Sequence, residues 1–209
     1  MFKTSDFEIL NNAIDTKRYI YNEEKSLEMK EKLGVTDKFV IGHVGRFRPQ
    51  KNHSFIIDIF KEVCEKEPNS ILLLVGDGPL EKDIKKKVNS LELEDKVKFL
   101  GARDNVNDLM QAMDVFVLPS LYEGFGIVLI EAQASGLECV ISESIPTDAI
   151  ISKKVKQLGL DDDISTWSKE ILSSKSERKE GIEDIEKSKY DIKSNAKWLE
   201  NFYIERLSV

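Results

Sequence analysis

The 209 residues carry 31 basic against 38 acidic side chains, a net charge of −7, and are 41% hydrophobic and 33% charged. That composition suits a folded core in one domain or two small ones and excludes a disordered chain, while the acidic balance argues against nucleic acid as a partner yet leaves room for a local basic pocket around one phosphate group. No apolar run approaches the roughly 18 residues of a bilayer span, the opening MFKTSDFEIL lacks a secretory pattern, and Cys64 and Cys139 form no metal-type spacing, so a cytoplasmic protein is expected, at most peripheral to the inner face of a membrane through a partner.

In chain order, a short strand is expected over 7–10, then an Asn/Asp-rich loop and a charged helix over 23–33 closed by Gly34. Short continuous apolar runs follow at 39–41, opening a strand over 39–44, and at 71–75, 97–100, 115–118 and 139–141. Such runs suit parallel strands covered on both faces. Between them lie helical spacings: Phe55, Ile56, Ile59, Phe60 and Val63; Leu80, Ile84 and Val88; and Val128, Leu129, Ala132 and Gln133 in a helix starting near Gly126. The alternation predicts an α/β fold, a doubly wound parallel sheet of Rossmann-like type with right-handed crossovers. Beyond Pro146 the strand rhythm fades into three expected helices near 164–174, 176–188 and 192–207. The last has a broad apolar stripe with Trp198, Leu199, Phe202 and Tyr203. It suits packing on its own domain or a face left for a second domain.

Ligands of open α/β sheets sit beyond the carboxyl ends of the strands. After the strand at 39–44 comes VGRFRPQKN, where Gly45 permits a tight turn and Arg46 and Lys51 flank a proline-containing loop. Two cations beside helix-terminal amides make a diphosphate site, or simply a solvated pair. VGDGP at 75–79 offers Gly76 and Gly78 for close backbone approach. It is no GxGxxG fingerprint, and the chain holds no Walker sequence. The strongest signal is PSLYEGFGIVLIEAQASG at 119–136. Glu123 precedes a Gly124-Phe125-Gly126 turn, and Glu131 lies about one and a half turns into the helix, so both border one crevice. The amides of Gly126, Ile127 and Val128 point toward an anion there. A carboxylate on an apolar helix needs a partner; ribose hydroxyls would serve, and so would an intramolecular lysine or arginine.

These motifs, with LLLVGDGPL and VKFLGARDNVNDLMQAMDVFVLPS, resemble the donor-binding, C-terminal half of GT-B glycosyltransferases of family 4, over about residues 11–207. The softer match of ISESIPTDAI and SKYDIKSNAKWLENFY is to bacterial capsular and exopolysaccharide enzymes. The resemblance implies that Arg46 and Lys51 bind the diphosphate and stabilise the departing nucleotide, so that with Glu123 beside the transferred sugar these three are the expected catalytic residues. It implies donor binding by Gly45, Gly76, Gly78, Gly124 and the amides of Phe125, Gly126, Ile127 and Val128, with Glu131 on the ribose and Ala102 and Arg103 at the base. It implies a UDP-sugar or other nucleotide-diphosphate sugar as substrate, no cofactor or metal, and retention of anomeric configuration. The chain departs from the pattern at Leu137-Glu138-Cys139, where a proline and small apolar run are usual, and at Ser144-Ile145-Pro146-Thr147-Asp148, where a glycine-rich turn ending in Glu is usual. A complete GT-B enzyme is about twice as long. The expectation is therefore one donor domain over 1–209, its helix at 189–209 docking an N-terminal acceptor-binding domain or partner chain, with a glycan or lipid-linked acceptor. A non-catalytic nucleotide-sugar binding or regulatory module is the alternative.

Overall fold

The computed structural model describes residues 8–174, 178 and 188–207. Six strands, β1 (Phe39–Val44), β2 (Ser70–Val75), β3 (Val97–Gly101), β4 (Val115–Leu118), β5 (Glu138–Ser142) and β6 (Val155–Leu158), form one sheet in the order β3-β2-β1-β4-β5-β6. Every adjacent pair is parallel. The helices are α1 (Glu23–Leu33), α2 (His53–Lys66), α3 (Glu81–Ser90), α4 (Val106–Gln111), α5 (Ile127–Ala134), α6 (Ile164–Ser173) and α7 (Ile192–Leu207).

The continuous apolar strands are explained by two cores, one on each face. Ile71, Leu73, Val75, Phe116, Leu118, Cys139 and Ile141 meet α1, α4 and α5 on one side. Leu72, Leu74, Val115, Val117 and Val140 meet α2, α3 and α6 on the other. Alternate residues of a strand point to opposite faces, so a strand buried on both sides has to be apolar throughout. α1 begins on Asn22, whose side chain accepts from the Lys25 amide, and ends on Gly34 at φ 66°. The cap and the left-handed glycine are why the expected bounds match those observed.

The sheet reverses its winding between β1 and β4. At their amino ends these strands are held close: the Asp114 amide donates to the Val40 carbonyl at 2.8 Å, and the Val40 amide donates to the Asp114 carboxylate at 2.7 Å. Their ladder then covers just Ile41–Val115 and Gly42–Phe116, whereas β1 and β2 pair along all of Phe39–Val44. β1 and β4 therefore part toward their carboxyl ends, and the parting is a crevice at the topological switch point.

Two expectations need correction. Residues 8–13 form no strand, and Ile9 and Leu10 are exposed; both sheet edges are already occupied by β3 and β6. The strand rhythm does not end at Pro146, since β6 follows. Its sequence Val-Lys-Gln-Leu reads as polar because it lies at the edge, with Lys156 and Gln157 exposed. Residues 98–101 of β3, the other edge, are likewise only half-buried. The helix expected near 176–188 lies outside the described residues apart from Arg178 and Ser188.

The loops after β1 and β2 are locked together by backbone. The Gly45 amide donates to Val75 at 2.9 Å and the Phe47 amide to Asp77 at 2.7 Å. Gly76 has φ +138°, and a Cβ there would run into the Gly45 carbonyl. Gly76→Ala is therefore expected to destabilise the fold by roughly 1–3 kcal/mol, about 3–10 °C in Tm for a chain of this size. Thermal unfolding of the variant checks this, and an unchanged Tm contradicts it.

Candidate functional site

The crevice is a cavity of about 410 Å³. One wall is the loop after β1, with Val44, Gly45, Arg46 and Lys51. The other is the loop after β4 and the start of α5, with Glu123, Phe125, Gly126, Ile127, Val128 and Glu131. Asn12 reaches in from the segment before α1. Nine residues singled out in the sequence are thus brought together: Gly45, Arg46, Lys51, Glu123, Phe125, Gly126, Ile127, Val128 and Glu131.

The two cations differ. Arg46 is 64% exposed and only loosely paired with Asp77, at 3.7 Å. Lys51 is 15% exposed and its Nζ lies 2.5 Å from Glu123 Oε1, with the Glu123 side chain 6% exposed. Glu123 also accepts from Ser120 Oγ at 2.6 Å and from Gln50 Nε2 at 3.3 Å. Ser120 is fixed in turn, because Ser142 and Ser144 both donate to its carbonyl at 2.6 Å. Ser144 belongs to the segment where the chain departs from the glycine-rich pattern, so that departure contributes a hydroxyl to the scaffold behind Glu123. An ion pair this sheltered is held by several hydrogen bonds, which offset the loss of hydration of its charges.

Glu131 finds a partner that the sequence reading did not anticipate. It is paired with neither lysine nor arginine: the hydroxyl of Tyr19 donates to its Oε1 at 2.6 Å. Burial pushes the Glu131 carboxyl above the ordinary range, and the Tyr19 bond draws it partly back. Burial, then the bond to Glu131, raises the Tyr19 phenol well above its usual value. α5 itself starts at Gly126, φ 76°. The Leu129 amide donates to the Gly126 carbonyl at 2.8 Å; Ile127 and Val128, whose amides precede any acceptor within the helix, line the crevice at the positive end of the helix dipole.

Beneath Lys51 lie two histidines. His43, on β1, donates from Nδ1 to the Val117 carbonyl of β4 at 2.8 Å, bridging the strands where their ladder has ended. A carbonyl can only accept, so Nδ1 carries the proton and Nε2 is a lone pair, buried and without a donor. His53, at the start of α2, stacks on Phe47 at 4.1 Å and meets His43 edge-on at 4.7 Å. Among the described residues both its ring nitrogens lack a partner; the Gly45 carbonyl is near enough to favour protonation without reaching hydrogen-bond geometry. Burial and the Lys51 charge push His53 down to about 4, and burial holds His43 far below its usual value.

Other predicted site residues lie elsewhere. Gly76 and Gly78 sit behind the crevice, pressed against the backbone of Gly45 and Phe47. Gly124 is exposed in the turn and does not line the cavity. Ala102 and Arg103 are exposed beyond β3, with β2 between that strand and β1. Sequence reasoning missed Asn12, Tyr19, Ser120, His43 and His53. The histidines carried a usable signal, since each adjoins a motif already recognised. Tyr19 carried none, because its partner is 112 residues away.

Neutral buried histidines make stability depend on pH. His53 is depressed in the folded chain, so the unfolded chain binds more protons between about 4 and 6.5. Stability is then fully present above 6.5 and is lost as pH falls toward about 4, a change on the order of 3 kcal/mol. Urea unfolding of wild type and His53→Gln across that range checks the sign. The variant is expected to show the shallower loss; identical slopes contradict the assignment.

Residues 25–197 match the family of glycosyl transferases group 1. Among curated relatives, the chain is 38% identical over 202 residues to EpsF of Bacillus subtilis, a protein named as a glycosyltransferase, covering 93% of this chain and 52% of that protein. It is 36% identical over 139 residues to an Escherichia coli UDP-Gal:alpha-D-GlcNAc-diphosphoundecaprenol alpha-1,3-galactosyltransferase, covering 64% and 36% of the two chains. The chain spans about half or less of the length of these relatives. Among solved structures, Anabaena HepE in complex with UDP and glucose superposes with a TM-score of 0.80 at 22% identity, over 94% of this chain and 56% of that one. The C-terminal domain of a group 1 glycosyl transferase from Francisella tularensis, LpcC, superposes with a TM-score of 0.71 at 18% identity, over 85% of this chain and 99% of that one. The matched profile and the doubly wound sheet place the chain in the glycosyl transferases group 1 family, as the C-terminal half of the GT-B fold.

Proposed function

We propose that this chain is the donor-binding half of a retaining glycosyltransferase, transferring a hexosyl unit from a nucleotide-diphosphate sugar to a glycan or lipid-linked acceptor in surface polysaccharide synthesis. The observation that carries the reading is one crevice at the β1/β4 switch point holding Arg46, Lys51, the first amides of α5, and both Glu123 and Glu131. Cations and amides meet a diphosphate, and Glu131 accepts from ribose hydroxyls. Glu123, fixed beside Lys51, meets the sugar. As the glycosidic bond breaks, negative charge collects on the departing diphosphate, where Arg46, Lys51 and the helix dipole are already aimed. Lys51 has three donor positions, so it can keep its bond to Glu123 while donating to a phosphate oxygen.

Metal-free binding follows from this donor set, since cations and helix amides already face the place of the diphosphate. A site inside the cell at the membrane face suits a lipid-linked acceptor. Among the described residues no helix is long and apolar enough to cross a membrane. Partnership with an acceptor-binding half draws support from α7, whose Trp198 is 39% exposed and stacked on Phe202 at 5.3 Å, with Tyr203 57% exposed beside them.

Titration calorimetry with UDP, GDP and ADP in EDTA-treated buffer tests the reading. At least one should bind, and Arg46→Ala should weaken it about 10- to 100-fold, the effect of a hydrogen bond to a charged group. Stability should stay within about 0.5 kcal/mol, because Arg46 is exposed. Binding that returns only with added Mg²⁺ contradicts the metal-free site. Transfer is a separate matter, since holding an acceptor in line is worth roughly 7–11 kcal/mol of barrier. We expect donor binding by this chain alone and transfer once an acceptor-binding half is supplied. Acceptor-dependent turnover by the chain alone would contradict that division.

A further inference from the structure

We propose that Tyr19 is a positioning residue: its hydroxyl holds the Glu131 carboxylate in place for the ribose, so that Tyr19 sets the preference for a ribonucleotide without touching it. The inference rests on the reading of Glu131 as the ribose acceptor and adds a residue to it.

Tyr19 lies before α1, outside the sheet, yet it is fixed independently of Glu131. Its amide donates to the Thr16 carbonyl at 3.1 Å. Its carbonyl and that of Ile20 accept from Gln111 Nε2 at 3.4 and 3.3 Å, and Gln111 Oε1 accepts from the Asn22 amide at 2.9 Å. Gln111 is 2% exposed, so this clamp belongs to the core. From the other side Thr16 donates to Asp191 at 2.8 Å, at the start of α7. The phenol is therefore held in place before any ligand arrives.

Glu131 depends on that phenol. It stands on α5 among Val128, Leu129, Ile130, Ala132 and Ala134, all buried, and among the described residues Tyr19 is its one side-chain donor. Arg18 acts on the Tyr19 phenol, Arg46, Lys51 and Glu123 line the same crevice as Glu131, and Asp191 bonds Thr16. None of the cations pairs with Glu131. With Oε1 taken, Oε2 is the atom left for a ribose hydroxyl. A carboxylate fixed by one strong bond loses little rotamer freedom in making the next. The same bond opposes the upward push of burial on Glu131 and so favours the charged form, which makes the stronger hydrogen bonds.

Wild type, Tyr19→Phe and Glu131→Ala are titrated with UDP, GDP and ADP and with their 2′,3′-dideoxy forms, from neutral to mildly acidic pH. Tyr19→Phe should bind the ribonucleotide about 2- to 10-fold more weakly, the range for one hydrogen bond, with dideoxy affinity unchanged. It should also lose ribonucleotide affinity at a higher pH than wild type. The dideoxy ligands report on the fold, since a merely structural loss lowers both. Equal weakening of both ligands, unchanged or tighter ribonucleotide binding, or an unshifted pH profile overturns the role of Tyr19. When Glu131→Ala selectively loses the ribonucleotide while Tyr19→Phe does not, the ribose reading stands and Tyr19 alone falls. When Glu131→Ala weakens both ligands alike, the ribose reading falls and Tyr19 falls with it.

Discussion

The Lys51–Glu123 ion pair joins two loops that the sheet itself forces apart. β1 and β4 diverge above Gly42 and Phe116, and a parallel ladder that has opened leaves unpaired backbone on both sides. The Leu121 amide donates to the Gln50 carbonyl at 2.8 Å, and Gln50 Nε2 donates to the Tyr122 carbonyl at 3.0 Å. These bonds and the ion pair restore lateral contact above the gap, and His43 does so within it. The crevice is thus a defect in the sheet, and the ion pair that helps repair it also forms part of its lining. Removing either charge would leave the other buried and unpaired, a cost of about 3–5 kcal/mol for a sheltered pair. Stability and ligand chemistry therefore draw on the same two side chains.

Unsatisfied polar atoms gather at the same place. Of the four buried side-chain nitrogens without a partner among the described residues, three belong to His43 and His53. Each orphaned group costs on the order of 1–3 kcal/mol. Apolar residues of similar volume would suit the fold better, yet two imidazoles lie against the lysine that faces the crevice. Packing elsewhere is conventional: the two cores are apolar, and Gln133, though 1% exposed, satisfies four backbone groups. The concentration of polar frustration beneath one loop marks that loop as shaped by something besides folding.

What the sequence made legible divides along physical lines. Strands buried on both faces announce themselves by continuous hydrophobicity, and α1 by its Asn22 cap and Gly34 stop. The two carboxylates were legible because their spacing and the turn between them are local. β6 was not, since an edge strand may be polar. Pairing was not either: the sequence offered Glu131 ribose hydroxyls or an intramolecular cation, whereas within the protein the cation went to Glu123, 72 residues from Lys51, and Glu131 took the Tyr19 phenol. Spacing along a chain fixes which residues share a loop or helix face. Which of two carboxylates meets a lysine depends on how far two strands splay.

The consequence of that allocation is chemical. Glu123 has a cation, a hydroxyl and an amide as donors, whereas Glu131 has a single phenol. A ligand hydroxyl reaching Glu123 competes with protein bonds already made, so a group held there has to fit an occupied site. At Glu131 it completes a half-filled one. On the proposed reading, a phosphate between them would draw on Lys51 and Arg46 without separating either carboxylate from its fixed donors. The crevice therefore grades from a saturated end, suited to discriminating shape, to an unsaturated end, suited to binding. Two glutamates seven residues apart acquire different work from their neighbours alone.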